Sequence, residues 1–448
     1  MVSLFRTGKW RDSRRAYIPW LSLCLCAQIA FASLALPMTA LVASQTAAPA
    51  LAADTSDSEI AQFYAARSGT PLWFSNAAGD APRQLFRLLS TADADGLDPK
   101  EFQLGELLVL FRKAENGDPA SISEADAALS RAFARYVRAI RRDPKVGVIY
   151  VDSELKPKQP SAGAVLAAAS KAASLADYIR EVGWMNPLYG QLREAIVAVA
   201  KTPGGERYQL ALNLERTRAL PAASERYVLV NTANQRLTMY EKGKAVGQMK
   251  IVVGRPDAQT PLMNAYIRFA IMNPYWNVPA DLTRKLAPNV VRQGKAYLKT
   301  MGYEVVTSFD EGASIVDPAT IDWKAVAAGR IAVQMRQLPG PANSMGRVKY
   351  MFPNTQGVWL HDTPSREHFA KDVRLISSGC VRLEDAWSLG SWLLDRKFRP
   401  AGTEPERRIE LPKPVPVYIT YLTAIPDGPT VRFIADVYKR DPPPLEAP

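Results

Sequence analysis

The stretch Ser377-Ser378-Gly379-Cys380-Val381-Arg382 places a cysteine after a glycine and just ahead of an apolar helical pattern. The other two cysteines of the 448-residue chain, Cys24 and Cys26, lie in an apolar N-terminal leader. A chain that loses this leader on export keeps Cys380 as a thiol without a disulfide partner. His361, one of only two histidines, lies upstream. A lone thiol and a histidine indicate the nucleophile and base of a cysteine acyltransferase.

The residues after Cys380 predict a helix that begins directly behind the thiol. Its apolar stripe consists of Leu383, Ala386, Trp387, Gly390, Leu393 and Leu394. A thiol at a helix N-terminus lies at the positive end of the helix dipole, which favours the thiolate. We expect the backbone amides of Ser378, Gly379 and Cys380 to form the oxyanion hole there.

The N-terminus has the pattern of an export signal. Five Lys or Arg residues precede a stretch without charge from Tyr17 to about Ala43, and Ala50-Leu51-Ala52 has the small residues of a cleavage site. We therefore expect residues 1–52 to be a signal peptide. The uncharged stretch exceeds the roughly 20 apolar residues that cross a bilayer, so an uncleaved anchor is the alternative. We expect no other membrane contact.

Composition narrows the class of protein. Hydrophobic residues make up 47% and charged residues 22% of the chain, which suits packed globular cores. The formal net charge of +12 suits an anionic polymer. Export and the lack of a basic run interleaved with aromatic residues argue against nucleic acid. Two histidines and one mature cysteine cannot supply a usual zinc site, which leaves only carboxylate sites for a metal. We expect neither a metal nor a cofactor.

Periodicity divides the exported chain into two domains. Apolar residues recur at helical spacing from about Ser56 to Leu220, and Ser121 to Glu124 resembles a capping box. Beyond Glu225, short strand-like runs replace the helical pattern. We predict an α+β protein with a helical domain at residues 53–204, a mainly-β domain at 205–441 and a C-terminal tail at 442–448.

Further motifs occur in order along the second domain: NPYWNVP at 273–279, RQLPG at 336–340, FPN at 352–354, WLHDTP at 359–364 and SSGCVR at 377–382. With these motifs the chain resembles the L,D-transpeptidases of Gram-negative cell walls, in the subgroup with a large cap. The helical domain is similar to the N-terminal scaffold domain of the larger members. The resemblance implies a periplasmic location, with the leader as signal or inner-membrane anchor, and a mobile cap at about residues 281–340.

The resemblance also implies a reaction and its residues. A cysteine thiolate attacks the third residue of a peptidoglycan tetrapeptide stem and expels the terminal D-alanine. The resulting thioester passes to an amine of another stem and gives a 3→3 cross-link. Cys380 corresponds to the nucleophile and His361 to the base. We expect four further residues to contact substrate: Arg382, Trp359, Trp276 and Asn343.

Asp362, which follows the candidate base, is a tempting third member of the catalytic set. Residues 358–361 have a strand pattern, and neighbouring strand side chains point to opposite faces. Asp362 should therefore not reach the His361 ring. We expect a backbone carbonyl to orient the ring instead, and we leave Asp362 out.

Three alternatives remain open on the sequence. Water as acceptor would make the protein an L,D-carboxypeptidase or an amidase. An amine on a protein would make it an enzyme that tethers outer-membrane proteins to the wall. A non-catalytic wall-binding scaffold is the alternative from a different class, and the intact motifs argue against it.

Overall fold

The computed structural model describes residues 48–199, 205–222, 226–400, 402–428 and 430–442. The predicted leader at 1–52 and the predicted tail at 442–448 lie almost wholly outside these residues. Among the helices of the described part, none is both long and apolar enough to cross a membrane.

The first half of the described chain is helical. Its elements are α1 (Ala48–Ala66), α2 (Ala81–Ser90), α3 (Leu104–Ala114), α4 (Pro119–Ile140), the short strand β1 (Ile149–Tyr150), α5 (Ala162–Ser170), α6 (Leu175–Arg180), α7 (Pro187–Ala198) and α8 (Gly205–Thr217). These helices enclose one apolar core in which the Phe133 ring packs edge-on against Trp73 and Trp184.

Helix α4 begins earlier than the capping-box pattern predicts. Its N-cap is Asp118, whose carboxylate accepts from the Ser121 backbone N–H at 2.9 Å. Pro119 occupies the first helical position, where its missing N–H costs nothing. Ser121 therefore lies inside the first turn, and the capping-box expectation is wrong.

A buried ion pair holds α7 against the chain that follows α2. The Arg193 guanidinium lies 2.9 Å from the Asp95 carboxylate, and both residues are less than a tenth exposed. The hydroxyls of Tyr136 and Tyr189 donate to the same carboxylate at 2.6 and 2.7 Å. The buried carboxylate is thus fully hydrogen-bonded, as burial of a charge requires.

The second half is mainly β. In chain order it consists of β2 (Arg226–Asn231), β3 (Arg236–Glu241), β4 (Lys244–Gly254), β5 (Met263–Met272), β6 (Trp276–Val278), α9 (Ala280–Gln293), α10 (Lys295–Thr300), β7 (Tyr303–Val306), β8 (Ile315–Val316), α11 (Trp323–Ala327), β9 (Gln334–Gln337), β10 (Val348–Met351), β11 (Leu360–His361), β12 (Leu375–Ser377), β13 (Val381–Leu383), α12 (Ala386–Leu393), β14 (Arg407–Thr420), β15 (Ala424–Asp427) and β16 (Thr430–Phe433).

The main sheet closes on itself. Its strands follow the order β1-β5-β10-β11-β13-β4-β3-β2-β14, and β14 also pairs with β5. Side chains that alternate along these strands fill one apolar core, against which α12 packs. The candidate residues His361 and Cys380 belong to β11 and to the turn before β13, in the middle of this order.

Residues between β5 and β10 form a separate small layer with its own core. A sheet of order β6-β9-β7-β8 packs against α9, α10 and α11 around Val290, Trp323 and Met335. This layer contains the residues that we predict to form the cap.

The two halves share buried contacts. Arg218, in the segment that joins α8 to β2, is 3% exposed, and its guanidinium donates to the backbone carbonyls of Ile140 and Asp95 at 2.7 and 2.8 Å. Ala424 of β15 lies in the apolar core of the helical half. The predicted α+β class, with a helical region before a mainly-β domain, is confirmed.

Candidate active site

Two neighbouring strands bring the predicted nucleophile and base to one face of the sheet. Strands β11 and β13 run parallel, with Leu360 opposite Val381 and His361 opposite Arg382. The Val381 backbone N–H donates to the Trp359 carbonyl at 2.9 Å, which continues this register back to Cys380. Opposed residues of a parallel pair share a face, as do residues two apart. His361 and Cys380 therefore face the same side, with Cα atoms roughly 8 Å apart from standard strand spacings.

The turn before Cys380 is closed by hydrogen bonds to its own backbone. The Ser377 hydroxyl donates to the Cys380 carbonyl at 2.6 Å and accepts from the Gly379 backbone N–H at 3.2 Å. Gly379 has a φ of +115°, a conformation that a residue with a Cβ adopts only under strain. The glycine before the cysteine is thus required by the shape of this turn.

The helix does not begin where the sequence pattern predicts. Strand β13 follows Cys380, and α12 begins at Ala386, where the Asp385 carboxylate caps it. Val381 and Leu383 alternate into the core of the sheet, and both are fully buried. The interpretation of Cys380 as a residue at a helix N-terminus is therefore wrong, and no helix dipole acts on its thiol.

The Cys380 thiol is half-buried, and its Sγ lies 3.5 Å from the Gly357 carbonyl. Burial raises the pKa of this thiol above its ordinary value of 9.0. A backbone hydrogen bond from Trp359 and the charge of Arg382 offset part of the rise. The thiol is therefore protonated at neutral pH in the free protein.

His361 is 3% exposed and held in one orientation. Its Nδ1 lies 2.6 Å from the backbone carbonyl of Asp362. A carbonyl only accepts, so Nδ1 carries the proton and Nε2 carries the lone pair of the neutral ring. Burial, followed by the charge of Arg382, lowers the pKa of His361 from 6.5 to about 4. The prediction that a backbone carbonyl orients the ring is confirmed.

The Asp362 carboxylate points to other partners. It accepts from the Arg347 backbone N–H at 2.9 Å and lies 3.2 Å from the Arg366 guanidinium. Gly346 leaves room for it, since a Cβ there would lie 2.5 Å from a carboxylate oxygen. The side chain of Asp362 therefore braces the chain around β11, while its carbonyl orients His361.

One of the three backbone amides that we predict for the oxyanion hole is not available to an oxyanion. The Gly379 N–H is already bonded to the Ser377 hydroxyl. In the part of the chain that the structure describes, no protein group accepts from the amides of Ser378 and Cys380. These two N–H groups are the ones available to an oxyanion.

The four predicted substrate contacts differ in their surroundings. Arg382 stands opposite His361 in the ladder, on the same face. Trp359 is half-buried against Phe352, and half-buried Trp276 lies on β6 with its ring 6.4 Å from that of Tyr303. These three residues keep surface that a ligand can reach.

Asn343 has a different role from the predicted one. It is 1% exposed, and its amide nitrogen donates to the carbonyls of Pro274, Gln337 and Leu338. Its side-chain oxygen accepts from the Met345 N–H at 2.7 Å. All of its polar atoms are used within the protein, so its assignment as a substrate contact is wrong.

The structure adds a residue to the site that sequence reasoning did not assign. Thr260 is fully buried, and its hydroxyl donates to the Gly379 carbonyl at 2.7 Å. The only sequence signal is its place before Pro261 in the stretch that follows Gly254. Among the described residues, no group of three or more His, Cys, Asp and Glu side chains is placed to hold a metal ion.

Comparison with known families gives two matches. The L,D-transpeptidase catalytic domain matches residues 225–419, and the Scaffold domain matches residues 58–196. A protein of Haemophilus influenzae named "Putative L,D-transpeptidase" is 26% identical over 393 residues, covering 85% of this chain and 78% of that protein.

Two solved structures overlap parts of the chain. An L,D-transpeptidase from Mycobacterium smegmatis is 12% identical with a TM-score of 0.21, covering 44% of this chain and 58% of that one. A mutant L,D-transpeptidase of Enterococcus faecium is 13% identical with a TM-score of 0.24, covering 45% and 52%.

The β11–β13 face that carries Cys380 and His361 lies within the matched catalytic segment. The matched scaffold segment covers the helical half from within α1 to within α7 and leaves out α8. The predicted resemblance is confirmed: the chain carries a Scaffold domain followed by an L,D-transpeptidase catalytic domain.

Proposed function

We propose that this protein is a peptidoglycan L,D-transpeptidase that forms 3→3 cross-links through a thioester on Cys380. One observation carries the proposal: Cys380 and an oriented, neutral His361 share a face of paired strands inside the catalytic-domain match. A cysteine needs such a base because the thiol is protonated at neutral pH here.

The acylation step follows from this geometry. His361 Nε2 accepts the Sγ proton as the sulfur attacks the carbonyl carbon of the third stem residue. The carbonyl oxygen becomes an oxyanion, which the amides of Ser378 and Cys380 stabilise. The C–N bond to the terminal D-alanine then breaks, and the His361 imidazolium gives its proton to the leaving amine. The thioester and free D-alanine remain.

Transfer to the acceptor reverses these roles. The amine of a second stem attacks the thioester carbon and gives a proton to His361. The C–S bond breaks, the new amide forms, and the sulfur takes the proton back from the imidazolium. The enzyme returns to the neutral pair with which it started.

The residues around the pair suit an anionic peptide. Arg382 places a partly buried cation on the same face, available to a stem carboxylate. We propose that Trp359 and Trp276 line the cleft, with the layer of α9 to α11 above it as the cap. We also propose an exported, periplasmic protein, because peptidoglycan lies outside the inner membrane and the leader has a signal pattern.

The decisive experiment incubates the purified protein with a disaccharide-tetrapeptide and identifies the products by mass spectrometry. Cross-linked dimers that have lost one D-alanine are the expected result. Tripeptide monomers would instead indicate water as acceptor, and transfer only to a protein amine would indicate tethering of an outer-membrane protein. An unchanged tetrapeptide would leave a non-catalytic wall-binding scaffold. Cys380→Ala is the matched control and should give no product.

A further inference from the structure

We propose that Thr260 is a positioning residue that aims the Cys380 backbone N–H at the substrate oxyanion, and that the C-terminal segment, residues 436–441, holds Thr260 in place. This inference rests on the proposed function, because it assigns a role in the same thioester chemistry. It concerns residues that do not touch substrate.

The Thr260 hydroxyl links two backbone groups. It accepts from the Gly254 N–H at 2.9 Å and donates to the Gly379 carbonyl at 2.7 Å. A hydroxyl has a single proton to donate, and a carbonyl can only accept. The Thr260 hydroxyl therefore donates to the Gly379 carbonyl and accepts from the Gly254 N–H. Thr260 is fully buried, so water does not compete for either bond.

The bond to Gly379 determines where the next N–H points. The described chain has no cis peptide bond, so the Gly379 carbonyl and the Cys380 N–H lie on opposite sides of one planar peptide. Because the carbonyl is turned inward to Thr260, the Cys380 N–H is turned the other way, toward the side from which substrate must reach the thiol.

Without this bond the peptide has another orientation available. Gly379 already has a φ of +115°, and a glycine rotates between backbone states at little steric cost. A rotated peptide would point the carbonyl oxygen at the substrate oxyanion and remove a donor. The Thr260 hydroxyl therefore selects the state that stabilises the transition state.

The C-terminal segment fixes the loop that carries Thr260. The Tyr438 hydroxyl donates to the Gly254 carbonyl at 2.6 Å, and the Arg440 guanidinium donates to the Thr260 carbonyl at 3.1 Å. Arg440 also donates to the Gln259 side chain at 2.8 Å. Tyr438 is 3% exposed and stacks on Tyr421. All of these supporting residues except the loop itself lie beyond residue 419, where the catalytic-domain match ends.

Two reagents for the same sulfur separate positioning from general damage. A carbapenem acylates the thiol through a tetrahedral oxyanion, so its rate depends on the Cys380 N–H. Iodoacetamide alkylates the thiol by displacement at a saturated carbon and forms no oxyanion. Both rates can be followed by the intact mass of the protein.

Thr260→Val should lower the rate of carbapenem acylation on the order of 10²-fold, as loss of an oxyanion donor does, and leave the alkylation rate unchanged. Thr260→Ser keeps the hydroxyl and should restore acylation. Thr217→Val is the matched control, because Thr217 is also fully buried and donates to one carbonyl at 2.7 Å, within α8. It should change neither rate.

Tyr438→Phe removes only the hydroxyl that donates to the Gly254 carbonyl. This variant tests the inference if Thr260→Val does not fold. It should slow acylation by a smaller factor, again without a change in alkylation. Equal acylation of wild type and folded Thr260→Val, or an equal loss of both rates in either variant, would overturn the inference and leave the proposed function standing. A wild-type protein that the carbapenem does not acylate would remove the thioester function itself, and this inference with it.

Discussion

Protonation of His361 should destabilise the folded protein in a defined pH window. Burial holds the pKa of the folded His361 at about 4, against 6.5 for the exposed ring. Between these values the unfolded chain binds a proton that the folded chain does not. Stability is therefore complete above about pH 6.5 and falls as the pH drops toward 4.

The size of the effect follows from the shift. One unit of pKa is worth about 1.4 kcal/mol, so acidification from about pH 7 to about pH 4.5 should cost the wild type about 2 to 3 kcal/mol through His361 alone. The neighbouring charges of Arg382 and Lys349 act in the same direction as burial, because both lower the pKa of His361. His361→Gln lacks the titrating ring and should lose that much less free energy of unfolding over the same change.

The shift can be measured directly because the chain has only two histidines. Proton NMR of the imidazole Cε1–H signals should show one ring that titrates near pH 4, and His368→Gln assigns it to His361. Urea unfolding of wild type and His361→Gln at both pH values gives the energetic difference. A His361 signal that titrates at its ordinary pH, or identical pH dependence of the two proteins, would refute a neutral buried base.

Three further outcomes follow from the structure. The rate of iodoacetamide alkylation of Cys380 should still increase with pH above the ordinary thiol pKa of 9.0, because burial raises the pKa of this thiol. A rate already flat at neutral pH would instead reveal a preformed thiolate. Gly379→Ala should cost about 1 to 3 kcal/mol of stability, because alanine is strained at this positive φ, and it should also slow acylation. Gly105→Ala, on α3 with open space around it, is the control and should not destabilise the protein. Equal melting temperatures for the two variants would contradict the strain. Asp95→Ala should lower the free energy of unfolding by about 3 to 5 kcal/mol, because it leaves the buried Arg193 unpaired. Glu101→Ala breaks an exposed ion pair and should lower it by under about 1 kcal/mol. Similar losses in chemical unfolding would count against the buried pair.

Local pattern in the sequence was enough to predict the class of fold and to single out Cys380 and His361 as the candidate pair. Helical and alternating periodicities separate the two halves because each reflects which side of a single element is buried. Cys380 and His361 stand out because the chain has so few residues of either type, within motifs that resemble one family. The backbone carbonyl that orients His361 was predictable too, since strand alternation keeps the Asp362 side chain away.

Features that depend on contacts between distant parts of the chain could not be predicted from local sequence pattern. The apolar stripe after Cys380 fits both a helix and a strand followed by a helix, and only the pairing of β13 with β4 and β11 decides for the strand. The position of Asn343 in a motif does not reveal that four backbone groups surround it.

The hydrogen bonds that hold the turn before Cys380 show most clearly what local pattern does not reveal. Tyr438 and Gly254 lie 184 positions apart, and Thr260 and Gly379 lie 119 apart. No periodicity connects such residues, because their hydrogen bonds depend on the path that the whole chain takes between them. Sequence alone predicted which side chains react, and tertiary structure decided which buried groups hold those side chains in position.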